Sequence, residues 1–142
     1  MGNYIIISIC SDGYERFATI KDVREDITIN VHFLEYDEYL ESNEKSQKRR
    51  TGDTLDGDIS IQLVTFSQKV DVDTALIHHQ KIPNFPHVEA IIEVAQIIDK
   101  YSMYAHSSIT DKNILIEFES VASYKVGDRI LVTGSLELSE VS

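Results

Sequence analysis

Residues 124–142 read YKVGDRILVTGSLELSEVS. Lys125, Gly127 and Asp128 form a turn that runs directly into an alternating series: Ile130, Val132, Gly134, Leu136 and Leu138. Successive side chains of a strand point to opposite faces, so this series sets one apolar face against a core and one polar face outward. The stretch predicts a strand entering a small twisted sheet, which makes the chain mainly β.

The rest of the chain repeats that signal. YIIISIC (4–10) is short and β-branched, and Asp12-Gly13 is a turn signal that leads into GYERFATI (13–20) as the returning arm of a hairpin. In ITINVHFL (27–34), Ile27, Ile29, Val31 and Phe33 alternate with Thr28, Asn30 and His32, which puts His32 on the polar face. EYDEYLESNEKSQKRR (35–50) has no apolar period and reads as an exposed loop or a frayed helix. Order resumes in 51–66, where Leu55, Gly57, Ile59, Ile61 and Leu63 alternate in a long fourth strand. Residues 67–87 hold both prolines and no clear period, so they are expected to connect two halves. VEAIIEVAQII (88–98) fits a helical stripe as well as a strand face (Val88, Ala90, Ile92, Val94, Ile98); strand is preferred because 101–108 and 113–120 follow as further strands.

Gly52-Asp53 echoes Gly127-Asp128 at a distance of 75 residues, each pair opening an alternating run. Duplication would produce this, and so would the suitability of Gly-Asp for a turn before a strand. Both origins stay open.

VEAIIEVAQIID, NILIEFES and YKVGDRILVTGSLEL together resemble the strand succession of OB-fold barrels over about fifty residues of the 142. The resemblance implies a single compact domain over 1–142. In it an OB-like antiparallel barrel in the C-terminal half (88–142, with the motif over 88–138) is flanked by N-terminal strands (1–66), with 67–87 as the connection. It also implies a binding face, here offering Tyr101, Tyr104, Glu117 and Glu119 where nucleic-acid binders carry basic and aromatic residues.

Composition narrows the functional classes. Thirteen Lys+Arg against 24 Asp+Glu give a net charge of −11. Such a field repels phosphate backbones and anionic lipid and attracts basic partners. No apolar run reaches the ~20 residues of a membrane-spanning helix, and the N-terminus lacks the pattern of a signal peptide. Ile6 stands where a myristoylation motif needs Ser or Thr. The single cysteine, Cys10, closes an apolar run and is expected to be a buried, inert thiol in a cytoplasmic protein.

Candidate chemical sites do not assemble. His78, His79 and His87 meet no zinc spacing and read as loop histidines. Asp53, Asp56 and Asp58 resemble a calcium loop, but its twelfth position is Val64. Neither a nucleophile elbow nor a phosphate-cradling glycine loop occurs. The expectation is a non-enzymatic protein with no cofactor and no metal.

One acidic-aromatic segment stands out as a partner-binding surface: Glu35, Tyr36, Asp37, Glu38, Tyr39 and Glu41. Tyrosines supply contact area at low entropy cost, and the carboxylates speed association with a basic protein. Lys48, Arg49 and Arg50 would be counter-charges pinning this loop, or a polar tether. The functional expectation is a small acidic binding protein, of the bacterial immunity type that blocks a basic toxin. The alternative is an OB-type binder of nucleic acid or oligosaccharide using the sheet face and Lys48, Arg49 and Arg50. Oligomeric state is left open.

Overall fold

The computed structural model describes residues 2–42, 44–139 and 141. Nine strands, and no helix among the described residues, make up one sheet. They are β1 (Gly2–Asp12), β2 (Glu15–Asp22), β3 (Thr28–Leu34), β4 (Thr54–Val70), β5 (His78–His79), β6 (His87–Ile97), β7 (Ser102–His106), β8 (Ile114–Phe118) and β9 (Arg129–Ser139). The mainly β expectation holds, and residues 88–98 are strand. β6 buries Val88, Ala90, Ile92 and Val94 in alternation, as β9 buries Ile130, Val132, Leu136 and Leu138.

β6, β7 and β8 are joined antiparallel, and β9 returns beside β6. This order, with the fourth strand next to the first, is a Greek key. The ring closes through β4, which pairs antiparallel with β9 and parallel with β8. The C-terminal half therefore has the OB-like five-stranded ring, with its fifth strand drawn from the N-terminal half.

The N-terminal half is built the same way. β1, β2 and β3 form the antiparallel run, β4 returns beside β1, and β9 closes the ring through a parallel contact at His32–Glu137. The N-terminal strands thus flank the C-terminal ring as a second closed ring of the same sheet. Each half is a Greek key, and each lends its fourth strand to the other.

The registers match. Tyr4–Leu55 and Ala18–Val31 in the first half correspond to Ile92–Ile130 and Met103–Ile116 in the second. Both first strands bulge at the same place, between Ile6 and Ser8 and between Val94 and Gln96. Gly52 and Gly127 share a positive φ, 92° and 91°. Asp53 accepts the N–H of Arg50 at 3.0 Å, and Asp128 accepts that of Lys125 at 2.9 Å. The Gly52-Asp53 echo is therefore one detail of a two-fold repeat whose axis passes through the Ile61–Leu136 pair, since these two residues are each other's equivalents.

The repeat is not complete: β5, which pairs with β6, has no counterpart among the first-half strands, and the two fourth strands differ at a bulge. β4 carries two more residues than β9 between the Gln62–Ser135 and Phe66–Thr133 pairs. Leu63, expected on the core face, is instead 59% exposed at φ 55°, and Val64 is buried in its stead. Leu138, the equivalent of Leu63, stays in the core. Cys10 is also a correction: it is exposed. The bulge at Ile7 shifts the alternation of β1 by one, so Tyr4 and Ile6 point inward, while beyond the bulge Ser11 is buried and Cys10 faces out. Ile98 lies past the end of β6 and is exposed as well.

Candidate partner-binding surface

β2 alternates strictly, with Arg16, Ala18, Ile20 and Asp22 buried. An arginine in a core-facing position needs partners, because an unpaired buried charge is costly. The Arg16 guanidinium, fully buried, donates to the Gly13 and Glu15 carbonyls at 2.9 and 3.0 Å and to the Glu38 carbonyl, and lies 3.7 Å from the Glu38 carboxylate. Glu38 in turn accepts from Ser46 Oγ at 2.6 Å and from the N–H of Gln47 at 3.0 Å. These bonds, with the charge of Arg16, hold its carboxyl below the usual range.

Segment 35–50 is consequently a fixed loop. It contains no helix, and it buries Glu35, Leu40 and Ser46. Leu40 and Gly13 exchange backbone bonds at 2.6 and 3.0 Å. Arg49 pairs with Glu35 and lies over the Phe33 ring at 5.9 Å. Lys48 pairs with Asp37 at 2.7 Å and sits 3.6 Å from Glu35. Among the cations of this loop, Lys48 and Arg49 are the counter-charges that pin it, and Arg50 bonds Gln47.

The six expected contact residues divide accordingly. Glu35 and Glu38 are held within the fold, and Asp37 is exposed but paired. Tyr36, Tyr39 and Glu41 face solvent, the two tyrosines at 71% and 61% exposure. Tyr14, which the sequence reading did not single out, completes the surface. Its ring centre is 5.8 Å from Tyr36 and 5.1 Å from Tyr39, the latter edge-on. Tyr39 also rests on Gly13, where even an added Cβ would meet its ring at 3.3 Å. Asp12, Glu41 and Glu44 surround these rings in sequence and pair with no Lys or Arg among the described residues. The signals for the two missed residues were present: Asp12-Gly13 puts Tyr14 at a hairpin tip, and a charge at an inward position of an alternating strand marks Arg16.

The other candidates stand apart. His32 Nδ1 is 2.6 Å from Glu137 and its Nε2 is 3.1 Å from Glu15, while Ser135 Oγ donates to Glu137 at 2.7 Å. The bond to Glu137 is the main cause that raises the His32 pKa above its ordinary value, against the opposing effect of burial. The serine meets the carboxylate and not the imidazole, so this chain of contacts ties the parallel β3–β9 closure and has no nucleophile–base geometry. His78 Nδ1 meets Ser108 Oγ at 2.6 Å, and burial lowers its pKa. Among the described residues no three His, Cys, Asp or Glu side chains converge to hold a metal ion. Among the described residues no helix is long and apolar enough to cross a membrane. Tyr101, Tyr104, Glu117 and Glu119, the expected sheet face, are all exposed.

Comparison with protein-family models, with curated proteins and with solved structures finds no match for this chain.

Proposed function

We propose that this chain is a non-catalytic binding protein whose partner is a basic protein, engaged through Tyr14, Tyr36 and Tyr39. The observation that carries the proposal is the packing of exposed Tyr14, at the β1–β2 hairpin tip, against exposed Tyr36 and Tyr39 on a loop whose conformation is fixed by Arg16, Lys48 and Arg49. Preformed aromatic clusters bind without a large ordering cost, and a net charge of −11 steers a cation toward them. An immunity-type inhibitor that covers the basic active surface of a toxin is the concrete form this takes.

The test is a salt series of binding measurements against a panel of purified basic proteins, small nucleases among them. Supporting results are binding that weakens as salt rises and at least a ~30-fold loss, the ~2 kcal/mol that marks a hot spot, for Tyr14→Ser or Tyr39→Ser. Absence of any salt-sensitive binder, or indifference to both substitutions, overturns the proposal. Single-stranded oligonucleotide serves as the control expected to stay flat, because Lys48 and Arg49 already face Glu35 and Asp37.

A further inference from the structure

The bulge that interrupts the two-fold repeat within β4 borders a groove. The bulge in β4 turns Leu63 outward in the left-handed region, a conformation that costs an L-residue about 1–2 kcal/mol. Strain of this kind survives where the surrounding structure enforces it, and bulges commonly re-aim a side chain beside a functional site. Leu63 forms one wall of a groove of about 510 Å³ at the junction of the two barrels. Phe17 and Phe85 form the other wall, with rings 6.1 Å apart and only 8° from parallel. Phe85 is 46% exposed.

The polar content of the groove is one-sided. Among the described residues its charged side chains are Glu15 and Glu137, both bonded to His32 between them, and neither Lys nor Arg lines it. His87 lies in the same lining, and its enclosed Nδ1 meets no donor or acceptor among the described residues. The groove continues the tyrosine surface: Glu15 and Phe17 lie on the outward face of β2, directly after Tyr14.

We propose that this groove is the anchor pocket of the same interface, receiving one aromatic side chain that the basic partner displays between lysines or arginines. The aromatic ring stacks on the Phe17–Phe85 pair and packs against Leu63, and the flanking cations face Glu15 and Glu137. The inference rests on the reading that the partner is basic. It adds what the partner must carry.

The probe is the capped tripeptide Lys-Phe-Lys, titrated into isotope-labelled full-length protein while backbone amide shifts are followed. Lys-Ala-Lys and Glu-Phe-Glu serve as comparators. Expected are shifts centred on Leu63, His87 and Gly134, with affinity about tenfold above that of Lys-Ala-Lys from burial of one ring. That affinity falls with salt, and Glu-Phe-Glu gives no response. Leu63→Gly keeps the left-handed backbone while removing the wall, and Phe85→Ser removes an exposed ring; each lowers Lys-Phe-Lys affinity at least severalfold with the fold intact. Equal binding of Lys-Phe-Lys and Lys-Ala-Lys overturns the proposal, as do shifts confined to residues outside the groove. The outcomes separate from those above: Tyr39→Ser leaves the tripeptide in the groove while weakening a whole basic partner. If tripeptide binding persists and no basic protein responds to the tyrosine substitutions, the groove stands and the tyrosine interface falls.

Discussion

Gly134→Ala tests the seam between the barrels most directly. A Cβ at this position would stand 2.6 Å from the Gln62 carbonyl oxygen, 2.8 Å from Ile61 Cγ2 and 3.1 Å from Val64 Cγ2. None of these neighbours can retreat easily. The oxygen belongs to the backbone at the bulge, and Ile61 and Val64 are buried in the common core. Overpacking of a rigid site costs about 1–3 kcal/mol, and contact with backbone places this substitution at about 2–3. At this chain length each kcal/mol lowers the melting temperature by roughly 3–5 °C, so a fall of about 6–15 °C is expected. Gly127→Ala is the comparator. Its Cβ meets nothing within 4 Å, but its φ of 91° is unfavourable for alanine, so a smaller fall, about 3–5 °C, is expected from conformation alone. Thermal unfolding followed by circular dichroism, with urea titrations to confirm an unchanged m-value, measures both. A Gly134→Ala protein melting within about 2 °C of the parent would show that the β4 bulge does not press on β9 as described.

Arg16→Met should cost about 3–5 kcal/mol if loop and barrel unfold together. If the loop opens alone, hydrogen exchange at Gly13 and Leu40 should accelerate while β6 amides keep their protection; unchanged exchange together with unchanged stability refutes the role given to Arg16. His32 has a raised folded-state pKa through Glu137 and Glu15. Its stabilisation is therefore full below the unfolded value of about 6.5 and fades as pH rises through the higher folded value. A stability–pH profile should show this loss setting in above the unfolded value of about 6.5, and His32→Asn should flatten it. Asp53→Ala and Asp128→Ala remove equivalent turn acceptors, so each should lower the melting temperature by roughly a few degrees, Asp128→Ala the more because Asp128 also meets Lys69 at 3.4 Å; no fall at Asp53 would count against the role given to the turn. Leu63→Gly should raise the melting temperature by releasing the left-handed strain, and a fall would mean that Leu63 packs more closely than its exposure indicates.

Much of this architecture was legible where side chains alternate. Residues 27–34, 88–94 and 129–138 translate directly from apolar period into burial, because a pleated strand has no other way to bury one face. Of the misplaced residues, Cys10 lies beyond a bulge and Leu63 within one, while Ile98 lies past the end of β6. A bulge shifts the alternation by main-chain geometry and leaves no mark in an already apolar run such as YIIISIC. Loop 35–50 was illegible for another reason. Its order comes from Arg16 reaching the Glu38 carbonyl and from Glu35 meeting Arg49, pairings at separations that no local period encodes. The acidic-aromatic composition singled out this segment, yet it could not tell carboxylates that hold the loop from those that face solvent. The repeat was visible only as two Gly-Asp turns, since its conserved content is register and turn geometry rather than residue identity.

The exchange of fourth strands has a consequence for synthesis. β3 and β4 are complete by residue 70, but the strand that closes their barrel spans 129–139. At about 5–20 residues per second, the emerging first half waits several seconds with two strand edges unpaired, the period in which nascent β-proteins are most open to wrong pairing. The N-terminal segment is already strongly acidic, with ten Asp and Glu against four Lys and Arg in residues 1–45. Like-charged nascent chains repel one another on close approach, so this acidic excess works against wrong pairing while the edges stay open.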